Sequence, residues 1–267
     1  MSTPRKRVTK TLTLVVTYNE ADNIARLIPA ILAALPASSV LVVDDNSPDG
    51  TAAAVRALGE HDNRVAVICR QNERGYGSAM VAGMKRAIAD GYDVILTLDA
   101  DFSHDPADLP RLLGALDGAD VAVGSRYVGG VRVLNWEVRR LLLSLGANAY
   151  VRFLSGLACI DCTSGFRGYR VETLKRVRLD SIRTTGYAFL PELLFNLDGA
   201  RVTEVPICYT ERRLGESKMS KRVIVEAVIR PWVLFLKRFG RGATRGNEAW
   251  TGAHEVSPSD GKRATHG

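Results

Sequence analysis

The chain has 267 residues, of which 46% are hydrophobic and 24% charged, a balance that is ordinary for a soluble globular protein with one large core. The formal net charge of +7 favours partners that carry phosphate, namely nucleotides, nucleic acid or an anionic membrane surface. No stretch approaches the ~20 uninterrupted apolar residues of a membrane-spanning helix, and the N-terminal sequence lacks the apolar core of a secretory signal.

Strand and helix patterns alternate through the first half of the chain. Apolar runs rich in β-branched residues predict strands, and apolar residues spaced by three and four predict the helices between them. The predicted strands cover 11–17, 40–45, 64–70, 92–99 and 119–125, and the predicted helices cover 24–35, 51–58 and 76–90, with a fourth beginning at Asp105 and Pro106. Because the strands are apolar throughout, we expect a mostly parallel sheet with helices on both faces.

The second half of the chain is less regular. The patterns predict strands at 165–170 and 201–211 and helices at 135–157, 188–197 and 223–239, the last of them interrupted by Pro231. Polar residues and glycine dominate from residue 240 onward, so 240–267 is predicted to be a disordered tail. The remaining residues are predicted to form a basic N-terminal arm (1–10) and a single domain (11–239).

The four cysteines predict neither a disulfide framework nor a zinc site. Cys159 and Cys162 form a lone C-x-x-C motif, without the second pair or the nearby histidines that four-coordinate zinc requires. Ordinary packing is favoured over a redox role for this motif. Reduced thiols of this kind fit the cytosol.

Acidic and polar side chains follow three of the predicted strands directly. Asp99 and Asp101 end the fourth strand, Asp45 ends the second, and Tyr18 and Glu20 follow the first. Ligands of doubly wound sheets bind at the carboxyl ends of the strands, so we expect these side chains to share one edge. Two carboxylates ~5 Å apart repel by about 3 kcal/mol at an effective dielectric constant of ~20. A hard cation such as Mg²⁺ or Mn²⁺ would offset this repulsion.

These residues allow other interpretations. A D-x-D sequence on its own more often caps a turn than binds a metal, but the second acidic strand end and the basic residues downstream favour function here. The phosphate-binding sequence G-x-x-x-x-G-K-[ST] is absent. Gly75 and Gly77 begin a G-x-G-x-x-G pattern, but Met80 replaces its third glycine, so a tight turn is the better interpretation than a dinucleotide site.

Seven segments of the sequence resemble the polyprenol-phosphate (dolichol-phosphate) mannose synthases of the inverting glycosyltransferase family 2. The segments are VVTYNEADNI, VLVVDDNSPDGT, DADFSHDP, VGSRYVGG, DCTSGFRGYR, GYAFLPEL and ERRLGESKMS, and the match covers roughly residues 11–239. Many glycosyltransferases share D-x-D, whereas the order D-D-x-S-P-D-G-T, D-A-D-x-S-H and R-x-x-G-E-S-K is far more specific. The resemblance implies a GT-A fold, an α/β fold with a mostly parallel Rossmann-like sheet, helices on both faces and a C-terminal amphipathic helix.

The resemblance also implies a site for the sugar donor. Tyr18 and Glu20 would contact the nucleotide base and ribose, Asp45 would help to bind the nucleoside, and Val43 would line the same pocket through its backbone. The segment Asp99, Ala100 and Asp101 would hold Mg²⁺ or Mn²⁺ together with the diphosphate. Ser103 stands where some members have a metal-binding glutamine, and serine is a weaker ligand.

Further residues are implied near the reacting phosphates. Four cations would surround the donor and acceptor phosphates: Arg126, Arg140, Arg212 and Lys218. Glu192 stands where family members place an acidic residue near the acceptor, and a buried structural ion pair explains it equally well. The residues implied in catalysis are Asp101, Arg126, Arg140 and Glu192.

Two positions depart from the pattern of the family. Val16 replaces the proline that is common before T-Y-N-E, and Cys162 stands where valine is usual before T-S-G-F-R. Neither change removes a charged group, so we expect activity to survive both.

The reaction implied is the inverting transfer of mannose from GDP-mannose to a polyprenyl monophosphate. One alternative keeps the fold but uses UDP-glucose to make a polyprenyl-phosphate glucose. Another is a protein that binds a nucleotide sugar without turnover. Nucleic acid is not expected as a partner, since neither interleaved aromatic platforms nor a known motif are found.

The C-terminal basic segment predicts contact with a membrane surface. Between Lys218 and Arg245 there are eight basic residues and one acidic residue, Glu226, interleaved with apolar residues that include Trp232 and Phe235. Such a helix can lie in the headgroup plane of a bilayer, with 135–157 as a second contact. The alternatives are a helix that packs on the core and a membrane-anchored partner subunit. We expect a cytoplasmic protein that is peripheral at the cytosolic membrane face.

Overall fold

The computed structural model describes residues 10–182, 184, 186–211, 221–240 and 250–253. The strands are β1 (Thr11–Thr17), β2 (Ser38–Asp44), β3 (Val65–Cys69), β4 (Val94–Asp99), β5 (Val121–Ser125), β6 (Val133–Leu134), β7 (Arg167–Arg170), β8 (Val202–Pro206), β9 (Tyr209–Thr210) and β10 (Trp250–Ala253). The helices are α1 (Ala21–Ala34), α2 (Thr51–His61), α3 (Tyr76–Ala89), α4 (Leu109–Ala115), α5 (Val138–Ser155), α6 (Val171–Leu174), α7 (Phe189–Asn196) and α8 (Lys221–Gly240).

Eight of the strands form one central sheet in the order β10-β8-β5-β7-β4-β1-β2-β3. All neighbours in the sheet are parallel except β7, which runs antiparallel to both β4 and β5. The prediction of a mostly parallel sheet is therefore confirmed, as are the first five strands apart from one or two residues at their ends.

Two hydrophobic clusters cover the two faces of the sheet. Leu14 of β1 packs with Met80 of α3 on one face, whereas the next residue, Val15, packs with Ile24 and Ile28 of α1 on the other. Successive side chains of a strand point to opposite faces, so a strand between two layers of helices must be apolar at consecutive positions. This requirement explains why the strands are unbroken apolar runs in the sequence.

Two predicted elements differ from the structure. The predicted strand at 201–211 is broken, because β8 ends at Pro206 and β9 pairs with β6 in a separate two-stranded sheet. The helix predicted to be interrupted at Pro231 is instead continuous from Lys221 to Gly240. Contacts with neighbouring helices hold the turn that precedes the proline. Tyr150 of α5 donates a hydrogen bond of 2.8 Å to the Val228 carbonyl, and Arg230 forms an ion pair with Glu192 of α7.

The C-terminal segment departs from the prediction at four positions. Trp250–Ala253 form β10, which pairs in parallel with β8 at the edge of the central sheet, and not a disordered stretch. Pairing with an existing strand edge supplies backbone hydrogen bonds that a polar tail cannot form alone. Of the helices within the described ranges, none has both the length and the hydropathy that a bilayer crossing requires.

The start of α3 packs so closely that only glycine fits at position 77. A Cβ atom on Gly77 would lie 2.1 Å from the carbonyl oxygen of Thr184 and 3.0 Å from Cβ of Phe189. We expect Gly77→Ala to lower the free energy of unfolding by about 1–3 kcal/mol, because backbone atoms would have to move apart. Gly114 of α4 has open space around it, so Gly114→Ala is the matched control and should be neutral or stabilising by up to ~1 kcal/mol. Urea denaturation of both variants measures the difference, and equal midpoints would contradict the packing described.

Candidate active site

Four neighbouring parallel strands end at the same edge of the sheet. The register pairs Val16 with Asp99 and Thr17 with Asp44, and Asp44 in turn with Cys69. The ends of β3, β2, β1 and β4 therefore lie side by side, as the sequence predicts for the acidic strand ends. This edge is the candidate active site.

Backbone strain is concentrated at this edge. Three non-glycine residues that follow β1, β2 and β4 have a left-handed backbone, namely Asn19 (φ 56°), Asn46 (φ 54°) and Phe102 (φ 58°). Such conformations are uncommon for residues with a side chain, and they cluster at sites where function requires a particular chain direction.

Much of the D-D-x-S-P-D-G-T motif builds the loop after β2. The buried carboxylate of Asp44 accepts hydrogen bonds from Thr17 Oγ1 (2.9 Å) and from the backbone N–H of Ser47 (2.8 Å). Asp49 accepts from the backbone N–H groups of Ala21 and Thr51, each at 3.0 Å. Burial raises the pKa of Asp49, but these hydrogen bonds outweigh it and lower the pKa overall. Half of the motif therefore holds the loop and the start of α1 in place.

The acidic pair predicted from D-x-D lies at the end of β4. Asp99 is the last residue of the strand and its side chain is 28% exposed, whereas Asp101 is buried and its Oδ1 accepts a hydrogen bond of 3.1 Å from the Ser103 N–H. Ala100 between them is buried as well. Asp101 thus stabilises the turn, as the capping interpretation of D-x-D requires.

Gly165 leaves space for the Asp99 carboxylate. A Cβ atom at position 165 would lie 3.0 Å from Asp99 Oδ1 and 3.1 Å from the hydroxyl of Tyr76. Burial and the neighbouring Asp99 charge raise the pKa of Tyr76 well above its ordinary value, so its phenol stays neutral. The glycine of T-S-G-F-R therefore leaves space that a Cβ atom at this position would narrow.

Two buried polar atoms without hydrogen-bond partners in the described part of the chain lie next to the acidic pair. They are Ser103 Oγ and His104 Nδ1. Buried polar groups are normally paired, so these two atoms indicate a site that a ligand completes. Nowhere in the described ranges do three or more His, Cys, Asp or Glu side chains form a metal cluster. Two carboxylates and a hydroxyl fit Mg²⁺ or Mn²⁺, which in such sites take further oxygen ligands from a phosphate-bearing substrate.

His104 lies beneath the acidic pair and was not among the predicted site residues. Its ring stacks on Phe166 (centroids 5.2 Å apart, interplanar angle 14°) and meets the edge of Tyr209 at 5.2 Å. Nδ1 lies 3.7 Å from Asp99 Oδ2. Burial lowers the pKa of His104 to about 4, although the nearby Asp101 charge opposes this shift. The imidazole is therefore neutral at pH 7. The only signal in the sequence was its place in D-A-D-F-S-H.

The predicted nucleoside side of the site contains an ion pair that the sequence did not reveal. The buried Asp45 carboxylate accepts a hydrogen bond of 2.7 Å from Arg70 Nε and one of 2.8 Å from the Gly75 N–H. Asp45 therefore fixes the loop before α3. Val43 lies inside β2 between β1 and β3 and is fully buried, so its backbone belongs to the sheet and the predicted ligand contact is not supported.

Tyr18 and Glu20 flank the end of β1 as predicted. The guanidinium of Arg74 lies 4.7 Å from the ring centre of Tyr18, and Glu20 Oε2 accepts a hydrogen bond of 2.8 Å from Asn23. Both side chains are half-buried. Arg74 adds a cation at this end of the site that was not among the predicted residues.

Arg126, which is predicted to bind phosphate, forms an ion pair with a carboxylate of the protein itself. Asp161, which is fully buried, accepts hydrogen bonds from Arg126 Nε (2.7 Å) and Nη2 (2.6 Å), a bidentate arrangement. Burial alone would lower the pKa of Arg126, but the Asp161 carboxylate raises it above its ordinary value. The rings of Tyr127, Trp136 and Tyr209 surround the guanidinium at 5.1–5.7 Å. Arg126 is thus a permanently charged group whose position is fixed.

Arg140 is the other predicted cation that the structure describes. Arg140 forms an ion pair with Glu211, and its guanidinium lies 4.4 Å from the ring centre of Trp136. Both partners are partly exposed, so solvent weakens the attraction between them. Arg212 and Lys218 lie outside the described residues.

Glu192 is held in a buried ion pair. Its side chain is 0% exposed, and its Oε2 accepts hydrogen bonds from Thr184 Oγ1 (3.0 Å) and Arg230 Nε (2.9 Å), while Oε1 pairs with Arg230 Nη2. The structural alternative for Glu192 is therefore favoured over an acid at the acceptor.

The C-x-x-C motif is packed in the interior. Cys159 and Cys162 are free and buried. Burial raises the pKa of Cys162 to about 12 and that of Cys159 well above its ordinary value, which makes both unreactive as thiolates. Packing, the favoured interpretation, agrees with this environment.

Comparison with known proteins identifies the family. A family model described as "Glycosyl transferase family 2" matches residues 13–178. An undecaprenyl-phosphate mannosyltransferase from Micrococcus luteus is 42% identical over 222 residues, which cover 82% of this chain and 91% of the relative. A polyprenol monophosphomannose synthase from Mycolicibacterium smegmatis is 45% identical over 225 residues, 83% of this chain and 85% of the relative.

The fold is also found among solved structures. A glucosyl-3-phosphoglycerate synthase from Mycobacterium tuberculosis, solved with Mn²⁺, UDP-glucose and phosphoglyceric acid, superposes with a TM-score of 0.62 at 18% identity, covering 87% of this chain and 80% of that one. At this identity the likeness concerns the fold alone, and it confirms the GT-A fold expected. The family model and the two relatives show that the chain belongs to glycosyl transferase family 2.

Proposed function

We propose that this chain transfers a mannosyl group from GDP-mannose to a polyprenyl monophosphate, with inversion at the anomeric carbon. The observation in the molecule that carries the proposal is the pair Asp99 and Asp101, which ends β4 beside the unpartnered Ser103 Oγ. The two relatives, a mannosyltransferase and a monophosphomannose synthase that use polyprenyl-type lipids, support the sugar and the class of acceptor.

The acidic pair and Ser103 would hold the divalent cation, Mg²⁺ or Mn²⁺, against the donor diphosphate. Solved neighbours of the same fold were crystallised with Mn²⁺ or Mg²⁺ and UDP, which supports a divalent ion in this position. A bound divalent cation stabilises the negative charge that develops on a leaving diphosphate. Tyr18 and Glu20 would then face the nucleoside, and the Asp45–Arg70 ion pair would shape the floor of its pocket.

The acceptor oxygen belongs to a phosphate, and this determines what the protein must supply. A phosphate monoester loses its second proton with a pKa of ~6, so it is largely ionised at pH 7 and needs no strong general base. Placement of a dianion beside the anomeric carbon requires cations, and Arg140, Arg212 and Lys218 are the candidates in addition to Arg126. Direct displacement by this oxygen inverts the anomeric centre, so an α-linked donor would give a β-linked lipid phosphate.

A radiolabel assay tests the function. The protein is incubated with Mn²⁺, polyprenyl phosphate and labelled GDP-mannose or UDP-glucose, and label in the organic phase is counted. We expect transfer from GDP-mannose only, and a loss of at least ~100-fold in Asp101→Asn, because the neutral amide weakens the hold on the cation and diphosphate. Asp105→Asn is the matched control, since exposed Asp105 only caps the next turn through Ala107 N–H and asparagine caps equally well.

The other outcomes of this assay are equally informative. Transfer from UDP-glucose alone would replace the donor and sugar in the proposal. Nucleotide binding by calorimetry without any transfer would support a binding protein. Full activity of Asp101→Asn with a normal melting temperature would contradict the role of the acidic pair.

We propose that Glu192 anchors α8 and does not act on the acceptor. Glu192→Gln should lower the free energy of unfolding by about 2–3 kcal/mol, since it leaves the guanidinium of Arg230 without its buried counter-charge. The transfer rate per folded molecule should stay near that of the wild type. Glu172→Gln, at an exposed position of α6, is the control and should change stability by less than ~0.5 kcal/mol. Unchanged stability with transfer abolished would instead indicate an acid at the acceptor.

We also propose a peripheral contact with the cytosolic face of a membrane through α5 and α8. These helices pack together, and both expose large apolar side chains: Leu142, Leu143 and Phe153 on α5, and Ile224, Val225, Val228, Ile229, Trp232, Leu236 and Phe239 on α8. Exposed Arg139, Lys237 and Arg238 lie on the same two helices. Apolar groups flanked by cations suit a bilayer that carries anionic lipids.

Vesicle binding tests this contact. The protein should sediment with vesicles that contain phosphatidylglycerol, and added salt should weaken binding because the lysines and arginines attract the anionic headgroups. Leu143→Asp should reduce bound protein at least ~10-fold, since it places a charge on a side chain that is 75% exposed in the apolar patch. Ala53→Asp on the exposed side of α2 is the control. If the wild type does not sediment with vesicles of any composition, a membrane-anchored partner subunit becomes the better explanation of this surface.

A further inference from the structure

His104 is a buried polar residue to which the proposed reaction assigns no role. It is 1% exposed, lies three residues after Asp101, and its Nδ1 has no hydrogen-bond partner among the described residues. A buried nitrogen without a partner costs about 1–3 kcal/mol, and a phenylalanine in the same place would avoid that cost. Packing alone therefore does not account for a histidine at this position.

The orientation of the ring is fixed from two sides. Phe166, from the T-S-G-F-R segment, stacks nearly parallel to it at 5.2 Å, and Tyr209 of β9 meets it edge-on at 5.2 Å. In this orientation Nδ1 lies 3.7 Å from Asp99 Oδ2. This distance is roughly 0.5–0.8 Å longer than a normal hydrogen bond. His104 is held between these two rings, and the Asp99 side chain is 28% exposed.

The protonated nitrogen follows from the same geometry. Were the proton on the other ring nitrogen, the lone pair of Nδ1 would face the negatively charged oxygen of Asp99, which is repulsive. A proton on Nδ1 makes the same contact attractive. A partner that fixes a metal-binding carboxylate in this way is a common feature of metal sites.

We propose that His104 is a positioning residue: its Nδ1–H donates a hydrogen bond to Asp99 Oδ2 when the donor binds, and so holds the carboxylate in the orientation that the cation and diphosphate require. This inference rests on the proposed function, since it presupposes a metal-dependent nucleotide site at Asp99 and Asp101. It assigns His104 to the affinity of that site and not to the chemistry of transfer.

Three substitutions separate positioning from packing. His104→Asn keeps an N–H donor near the place of Nδ1 but removes the ring. His104→Gln places its amide one methylene farther from the backbone, near the position of Nε2. His104→Phe keeps the aromatic stack and removes both nitrogens. The readout is the affinity for Mn²⁺ with GDP, measured by calorimetry without acceptor, and the melting temperature of each variant.

The proposal predicts opposite orders for affinity and stability. His104→Asn should bind Mn²⁺–GDP within about threefold of the wild type, whereas His104→Phe and His104→Gln should bind at least ~10-fold more weakly. In melting temperature His104→Phe should equal or exceed His104→Asn, because it preserves the stack on Phe166. If the phenylalanine variant does not fold, the comparison of asparagine with glutamine decides.

The contrary outcomes are distinct. Two results would overturn the positioning role and leave the proposed function intact. In the first, His104→Phe binds Mn²⁺–GDP like the wild type. In the second, the asparagine and glutamine variants bind it equally. Failure of the wild type to bind Mn²⁺–GDP would refute the metal-dependent site itself, and the role of His104 with it.

Discussion

The arrangement of this protein depends on the placing of two carboxylates, Asp99 and Asp101, at the end of one strand. Each ionised carboxylate repels the other, and partial burial strengthens that repulsion because less water screens it. Asp101 accepts a backbone N–H, and Gly165 keeps the space around Asp99 open. An edge of the sheet that holds two carboxylates is complementary to a cation and, through it, to a diphosphate.

Three arginine side chains in the described part of the chain have a buried carboxylate as an internal partner. Arg70 pairs with Asp45, Arg126 with Asp161 and Arg230 with Glu192. A guanidinium that is bound in bidentate fashion to a buried carboxylate loses little further entropy when a phosphate arrives, but part of its charge is already compensated. These pairs therefore shape the walls of the site, and cations that are better exposed must supply the remaining attraction for phosphate.

The two outer helices connect this site to the lipid surface proposed for the acceptor. α8 carries exposed apolar residues along its outer side, and on its inner side Arg230 reaches the fully buried Glu192 of α7. Tyr150 ties the same helix to α5 through the Val228 carbonyl. A helix attached in this way keeps a fixed position relative to the strand ends, so a lipid phosphate at the surface would meet the nucleotide site at a defined distance.

The sequence by itself determined the sheet, the helices of the first half and the acidic strand ends, because these depend on local periodicity and on the rule that parallel strands end together. It also indicated the family, because the residues of each motif are contiguous in the chain. Only the tertiary structure decided the partners of the charged residues. Asp161 and Arg126 are 35 positions apart, and Glu192 and Arg230 are 38 apart, so no local pattern predicts that they pair. The same holds for Val43, which the sheet encloses, and for α8, which continues through Pro231. It holds also for His104, whose unpartnered nitrogen is visible only once Phe166 and Tyr209 have packed around it.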